Sequence, residues 1–386
     1  MSVLPPERCS ELLLLVLTQL PGLGPTRINS IIDRYGADLA LLDADASAYS
    51  NLHGIGTPLA EEISKLLGNR IWRQKALDEA HEQLEKADRI GAIVLTITDP
   101  RYPALLREIY APPPILFVRG NPDAFSHPSI AVVGTRKATG YGEQAAELIC
   151  RDLVLAGHTI VSGLAYGIDM IAHRTTLESS GSTIAVLGCG VDIIYTDRRG
   201  RIWPKILERG AIVSEEPIGQ EPAPGNFPKR NRLISGLSSG TLVVESDIKG
   251  GSMITASCAL EQNREVFAIP GSIFSPNSRG TNRLIQLCQA KPVHTAADIL
   301  SEILPATPAR SNPQQQALPF PEGLDKEEST IVKALDQEAL LHIDLISEKT
   351  ALSIDTLLVK LFELELKRVV VQQPGQLFRL RSVRSG

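Results

Sequence analysis

Aromatic side chains are scarce here, at 4% of 386 residues, which argues against a binding surface built mainly on ring stacking. The apolar run Leu12 to Leu17 is far short of the roughly 20 residues that span a bilayer. It also lacks a basic lead-in and a cleavage site, so the expectation is a cytoplasmic protein with no membrane partner. The five cysteines (Cys9, Cys150, Cys189, Cys258, Cys288) are far apart and show no metal-ligand spacing. They are expected to pack as small apolar residues in a reducing compartment, with no metal site. Positive charge is not in surplus either. A net charge of −5 does not announce a nucleic-acid binder, although a local basic stripe counts for more than the sum.

What is present starts with length, since a chain of this size favours two or three domains. The stretch from Gly225 to Ser257 carries the most chemistry. Lys229, Arg230 and Arg232 stand ahead of a short helical pattern, an apolar strand follows, and the strand ends at Gly250-Gly251-Ser252, which opens another helix. The first amides of a helix lack partners and the dipole there is positive, so such a turn cradles anions. Arginine adds forked donors that match phosphate. The expected ligand is therefore rich in phosphate.

Residues 1–88 read as a helical domain. Leucines at helical spacing lead into Leu20-Pro21-Gly22-Leu23-Gly24-Pro25, and a similar unit returns at Leu52-His53-Gly54-Ile55-Gly56-Thr57. Two helix, Gly-x-Gly, helix units outline helix-hairpin-helix motifs, whose glycines let a DNA phosphate approach backbone amides. A small helical bundle with glycine turns is the alternative.

From residue 89 to 304 apolar runs of strand length alternate with helix-length segments. The expected strands are Ala92–Thr96, Ile115–Val118, Ile130–Val133, Thr159–Val161, Ile184–Leu187, Ala211–Val213, Leu242–Val244, Val266–Ile269 and a weaker Pro292–His294. This pattern gives an α/β fold with a parallel sheet covered on both faces and a ligand outside the strands' carboxyl ends. Small residues recur at those ends: Gly134-Thr135, Ser162-Gly163, Gly188-Cys189-Gly190, Gly250-Gly251-Ser252 and Pro270-Gly271. They make a floor that a sugar-phosphate backbone can approach. Arg136, Lys137, Lys229, Arg230 and Arg232 surround it, with Arg198, Arg199 and Arg201 less clearly aimed. No Gly-x-Gly-x-x-Gly and no P-loop is present, so no nicotinamide or ATP cofactor is expected. His173 follows Asp169 by one helical turn, but no nucleophile is placed beside them, and a helix-capping Asp169 with a packed His173 is the preferred reading. Glu245 at a strand end is either a general base or an acceptor for the Gly250–Ser252 turn, the structural role being favoured. Phe227 and Tyr166 are the nearest candidates for base stacking, against a packing role for each.

Several ordered blocks resemble the DNA-processing protein A (DprA/Smf) family. They are Gly134-Thr135-Arg136, then Ser162-Gly163-Leu164-Ala165 through Gly167-Ile168-Asp169 to Ala172-His173, then Phe227-Pro228 through Arg230-Asn231-Arg232 to Ser235-Gly236-Leu237-Ser238. Further blocks are Val243-Val244-Glu245, Gly251-Ser252, Arg264 to Gly271, and Gly280-Thr281-Asn282 with Leu284-Ile285. The resemblance implies an extended Rossmann-like, doubly wound, mainly parallel sheet behind a SAM-like helical domain. It further implies a homodimer without enzymatic activity that binds single-stranded DNA, protects incoming DNA during natural transformation and helps load the RecA recombinase in the presence of single-strand-binding protein. The expected DNA-binding set is Gly134, Thr135, Arg136, Lys137, Ser162, Gly163, Lys229, Arg230, Asn231, Arg232, Gly250, Gly251 and Ser252, with no catalytic residue. The family often has Tyr-Pro-x-x-Asn in the loop where Tyr195 is here followed by Thr196, Asp197 and Arg198. A nucleotide-processing enzyme, such as a nucleoside-monophosphate phosphoribohydrolase, stays open as the alternative, because it too sets a glycine turn near a strand-end glutamate.

Residues 305–324 are rich in proline, glutamine and serine and read as a linker. Residues 325–386 read as three helices and a hairpin, the outline of a winged helix. Its third helix carries Glu363 and Glu365, which argues against strong groove binding and leaves a protein contact open.

Overall fold

The computed structural model describes residues 8–50, 52–303, 325–336, 341–367, 369–373 and 376–380. The linker expected over 305–324 lies outside the described residues. Two units form, Met1–Ala306 and Thr307–Gly386.

The first unit opens with α1 (Cys9–Leu17), α2 (Pro25–Tyr35), α3 (Ala46–Tyr49), α4 (Thr57–Gly68) and α5 (Arg70–Arg89). Both glycine hairpins form, between α1 and α2 and between α3 and α4. Pro25 and Pro58 lie in the first turns of α2 and α4, where a missing N–H breaks no helical bond. Gly22 and Gly54 take φ of +76° and +77°, a conformation that side chains disfavour. One side chain ties the hairpins together: Arg27 donates through Nε to the Gly54 carbonyl at 2.7 Å and through Nη1 to that of Gly22. The leucines of α1 are buried from Leu12 through Leu17. The core they join runs on into the sheet through Phe117, Ala185, Leu187 and Ile212. The boundary drawn at residue 88 therefore separates kinds of element, not separate cores.

The sheet contains β1 (Ala92–Thr96), β2 (Ile115–Gly120), β3 (Ser129–Val133), β4 (Thr159–Ser162), β5 (Thr183–Val186), β6 (Ala211–Ser214), β7 (Gly240–Val243), β8 (Glu265–Ala268) and β9 (Lys291–Pro292). Their order is β1-β2-β6-β5-β4-β3-β7-β8-β9. Pairing is parallel from β6 to β9, while β2 runs antiparallel to both β1 and β6. The helices are α6 (Ala104–Arg107), α7 (Gly140–Leu155), α8 (Ile168–Glu178), α9 (Trp203–Arg209), α10 (Asn226–Gly236), α11 (Gly251–Glu261), α12 (Arg279–Gln286) and α13 (Ala296–Ile303). Side chains of α7, α8 and α13 cover one face of the sheet and those of α10, α11 and α12 the other. The chain passes from β3 to β4 on one side and later returns to β7 on the other. Such a reversal leaves a crevice outside the carboxyl ends of the strands, where doubly wound sheets hold ligands.

The second unit is a winged helix with α14 (Lys326–Asp336), β10 (Leu341–His342), α15 (Ile343–Thr350), α16 (Ile354–Leu366), β11 (Val370–Gln373) and β12 (Leu377–Leu380). Its three strands pair in the order β10-β12-β11. Lys360 pairs with Asp325 and Glu363, and Lys367 pairs with the buried Glu328. The exposed face of α16 is apolar, with Ile354, Leu358, Phe362 and Leu366 at four-residue spacing. Both features argue against groove binding by α16. Among the described residues, no helix of either unit is long and apolar enough to cross a membrane.

Candidate nucleic-acid interface

A cleft of about 290 Å³ opens at the carboxyl ends of β3, β4 and β7. Gly134, Thr135 and Arg136 line one wall, Phe227, Arg230 and Asn231 another, and the Ser246–Ser252 turn a third. The Gly134–Arg136 loop is clamped in place. Thr135 N–H donates to the Glu245 carbonyl at 2.7 Å, and the Thr135 carbonyl accepts from Ile168 N–H at 3.2 Å. Only glycine fits at 167, which has φ +79° and where a Cβ would lie 2.2 Å from the Thr135 carbonyl oxygen. The loop thus presents Arg136 and Lys137 outward, both exposed. The Arg136 guanidinium lies 5.9 Å from the centre of the Phe227 ring, and neither cation has an acidic partner among the described residues.

Opposite them stands the start of α11. No side chain caps it, so its first amides face the cleft unsatisfied. At Gly250 a Cβ would sit 2.2 Å from Ser246 Oγ and 3.0 Å from the Asp247 carbonyl oxygen, so a larger residue would have to displace the serine hydroxyl. At Gly251 nothing lies within 4 Å, and the space beside it is open. Asn231 Nδ2 donates to the Gly251 carbonyl at 3.3 Å, joining α10 to this turn. Ser252 is buried and bonds Ser246 Oγ at 2.8 Å.

The Lys229–Arg232 block does not act as one patch. It lies inside α10, where residues one and two apart point in different directions. Lys229 is half-exposed and pairs with Glu216 at 3.0 Å. Arg232 leaves the cleft altogether, donating to the Ala111 carbonyl at 2.9 Å and pairing with Glu215. Arg230 is 5% exposed, and its Nη1 donates to the carbonyls of Gly163, at 2.8 Å, and Val186. Facing it, Asp169 Oδ2 accepts from the amides of Gly163 and Ala165 at 3.1 and 3.4 Å. Burial pushes the Asp169 carboxyl up to about 6 while Arg230 draws it back down. Burial likewise lowers the Arg230 guanidinium, against the pull of Asp169. This pair braces the floor from beneath. Ser162 belongs to the same support, since its buried hydroxyl donates to the Val132 carbonyl at 2.6 Å. The expectation that Arg230 and Arg232 reach out to phosphate with Arg136 gives way to this arrangement.

Glu245 is structural, but its partner is not the Gly250–Ser252 turn. Its buried carboxylate accepts from Thr139 N–H at 3.0 Å and Thr139 Oγ1 at 2.5 Å, fixing the entry to α7. His173 is fully buried against Thr183 Oγ1 at 2.7 Å, and burial pushes it down to about 3. It makes no dyad with Asp169, which is the first-turn acid of α8 and bonds the loop ahead of that helix. Burial lifts the thiols of Cys150 and Cys189 to about 12 and about 11, so neither is an activated nucleophile. Phe227 lines the cleft and meets Tyr195 edge-on at 5.7 Å, while Tyr166 is 55% exposed on the neighbouring loop. Asp247 and Ile254 also line the cleft, and no sequence pattern singled them out. Glycine and serine at strand ends signalled the turn, but not which of its other side chains face inward.

Residues 93–304 match the family described as DNA recombination-mediator protein A, and residues 305–376 match the DprA winged helix domain. The chain is 42% identical to Protein Smf of Escherichia coli over 72% of its own length and 75% of that protein's. It is 41% identical to the DNA processing protein DprA of Bacillus subtilis over 55% and 72% of the two lengths. The X-ray structure of DNA processing protein A from Streptococcus pneumoniae superposes with a TM-score of 0.65 at 33% identity, covering 76% of this chain and 98% of that one. DNA processing protein A from Helicobacter pylori, whose structure was described for its single-stranded DNA binding mode, superposes at 0.50 with 30% identity over 55% and 95%. In both of its matched domains and across these relatives, the chain belongs to the DNA recombination-mediator protein A (DprA/Smf) family.

Proposed function

We propose that the cleft grips unpaired DNA by its phosphodiesters and that the chain is a DNA-processing mediator for transformation and recombination. The observation that carries this is the placement of Arg136 and Lys137, exposed and uncompensated, across from the uncapped amides of α11. Anions bind such a setting through arginine forks and helix-start amides. Phe227, beneath Arg136, offers a ring face or edge to a base. Phosphate contacts of this kind read no sequence and weaken steeply with salt. The H. pylori relative's described single-stranded DNA binding supports the same ligand.

The protein acts in this reading without catalysis, in the cytoplasm, as a homodimer that hands its strand to RecA in the presence of single-strand-binding protein. Glu245 is engaged by Thr139 and His173 is fully buried, so neither stands free as a general base. That weighs against the phosphoribohydrolase alternative. The test is anisotropy of a labelled oligothymidine against a duplex of equal length. Tight, salt-sensitive binding of the single strand supports the reading, and preference for the duplex opposes it.

A further inference from the structure

The segment between β5 and α9 carries Arg198, Arg199 and Arg201, all exposed. Among the described residues none of these three guanidiniums has a hydrogen-bond or ion-pair partner. In a chain whose net charge is −5, three unpaired cations in four positions are not the surface average. The one acid within the run, Asp197, is buried and turned inward. Its carboxylate accepts the amides of Arg201, Ile202 and Trp203 at 3.1, 2.7 and 2.9 Å, at the entry to α9. It therefore fixes the backbone of the loop and leaves the arginine side chains uncompensated.

The loop is anchored at the rim of the cleft. Thr196 Oγ1 donates to the Leu164 carbonyl at 2.5 Å, and the ring of Tyr195 meets Phe227, over which Arg136 lies. Arg198 is two residues beyond Thr196, at most about 7 Å of extended backbone. A cleft of about 290 Å³ is at the lower end of small-ligand sites, so a polynucleotide held in it must leave and cross the adjoining surface. On the opposite rim Asp247 stands near Lys249, with the exposed Ile248 between them, and charge there nearly cancels.

We propose that Arg198, Arg199 and Arg201 form a second phosphate-binding station, which takes the phosphodiesters of a single strand as it leaves the cleft on the β5 side. This rests on the reading of the cleft as a single-strand site. The test compares oligothymidines of about 4 and about 16 nucleotides, titrated over a range of salt. The proteins are the wild type, Arg136→Ala, and a variant with Ala at 198, 199 and 201. Circular dichroism checks their fold. Each phosphate contact to a single strand contributes about 0.7 to the logarithmic salt slope. The triple variant is expected to lose about 2 from its slope on the long strand and to bind the short one like the wild type. Lysine at the same three positions restores the slope. An unchanged slope on the long strand overturns the inference and is the outcome that an acidic protein partner for this loop would give. Equal losses on both lengths overturn it too, since the station is then not separate from the cleft. If the wild type binds neither strand, the reading of the cleft itself fails.

Discussion

Arg230 and Asp169 face each other across Gly163 so closely that a Cβ there would lie 2.7 Å from both Arg230 Nη2 and Asp169 Oδ2. The pair locks α10 and α8 to the ends of β4 and β5. It is the foundation of the cleft, whereas Arg136 lies exposed at its edge.

Removing the foundation should therefore unfold the protein before it weakens binding. Breaking a buried pair from one side leaves an uncompensated charge and costs about 3–5 kcal/mol. Arg230→Met is expected to lower the unfolding free energy measured in urea by that much. Arg136→Ala should leave that free energy unchanged within about 0.5 kcal/mol.

This division was only half legible in the sequence. The strands were readable because β3 to β8 are continuous apolar runs buried on both faces. The antiparallel placement of β2 was not, since its buried apolar run reads the same whichever way the strand points between β1 and β6. Glycine marked the hairpins, but not that Arg27 bridges them. Lys229, Arg230 and Arg232 looked like one cationic block because they are adjacent in the chain. On a helix adjacency scatters side chains around the axis, so the block divides into an exposed pair with Glu216, a buried brace and a link to Glu215.

Acid stability should depend on His173. Its ordinary value is 6.5 and burial holds it at about 3 in the fold. The unfolded chain therefore takes up a proton that the folded one does not, and stability falls as pH drops from about 6.5 toward 3. Asp169 acts in the opposite sense, because its folded value is raised from 3.8 to about 6, so its part of the stability declines as pH rises through that window. His173→Gln keeps the Asp169 part and removes the other. Between pH 6 and 4 its stability should fall less steeply than that of the wild type, by up to about 1.4 kcal/mol per pH unit. Urea unfolding at several pH values measures this.

Glu245 should behave as a brace. Glu245→Gln keeps the shape but loses charge-assisted bonds to Thr139, an expected loss of about 1.5–3 kcal/mol. The wild type should release no free base from nucleoside monophosphates. Chromatography of such a mixture, with release abolished in Glu245→Gln, would instead make that carboxylate catalytic.

Two glycines separate support from contact. Gly167→Ala puts a Cβ against the Thr135 carbonyl at a positive φ, and should destabilise the protein by more than about 1 kcal/mol. Gly251→Ala meets nothing in the protein within 4 Å, and its melting temperature should be that of the wild type. Its oligothymidine affinity should nonetheless fall, because the new methyl would stand where the proposed phosphate meets the amides of α11.

The most direct measurement is the affinity of Arg136→Ala for a labelled oligothymidine across a salt series, beside the wild type and a duplex control. The account predicts that the wild type prefers the single strand. It also predicts that the variant, folded normally, binds about ten-fold or more weakly with a salt slope lower by about 0.7. Equal affinity and slope for the two proteins, or a wild type that prefers duplex, would contradict it.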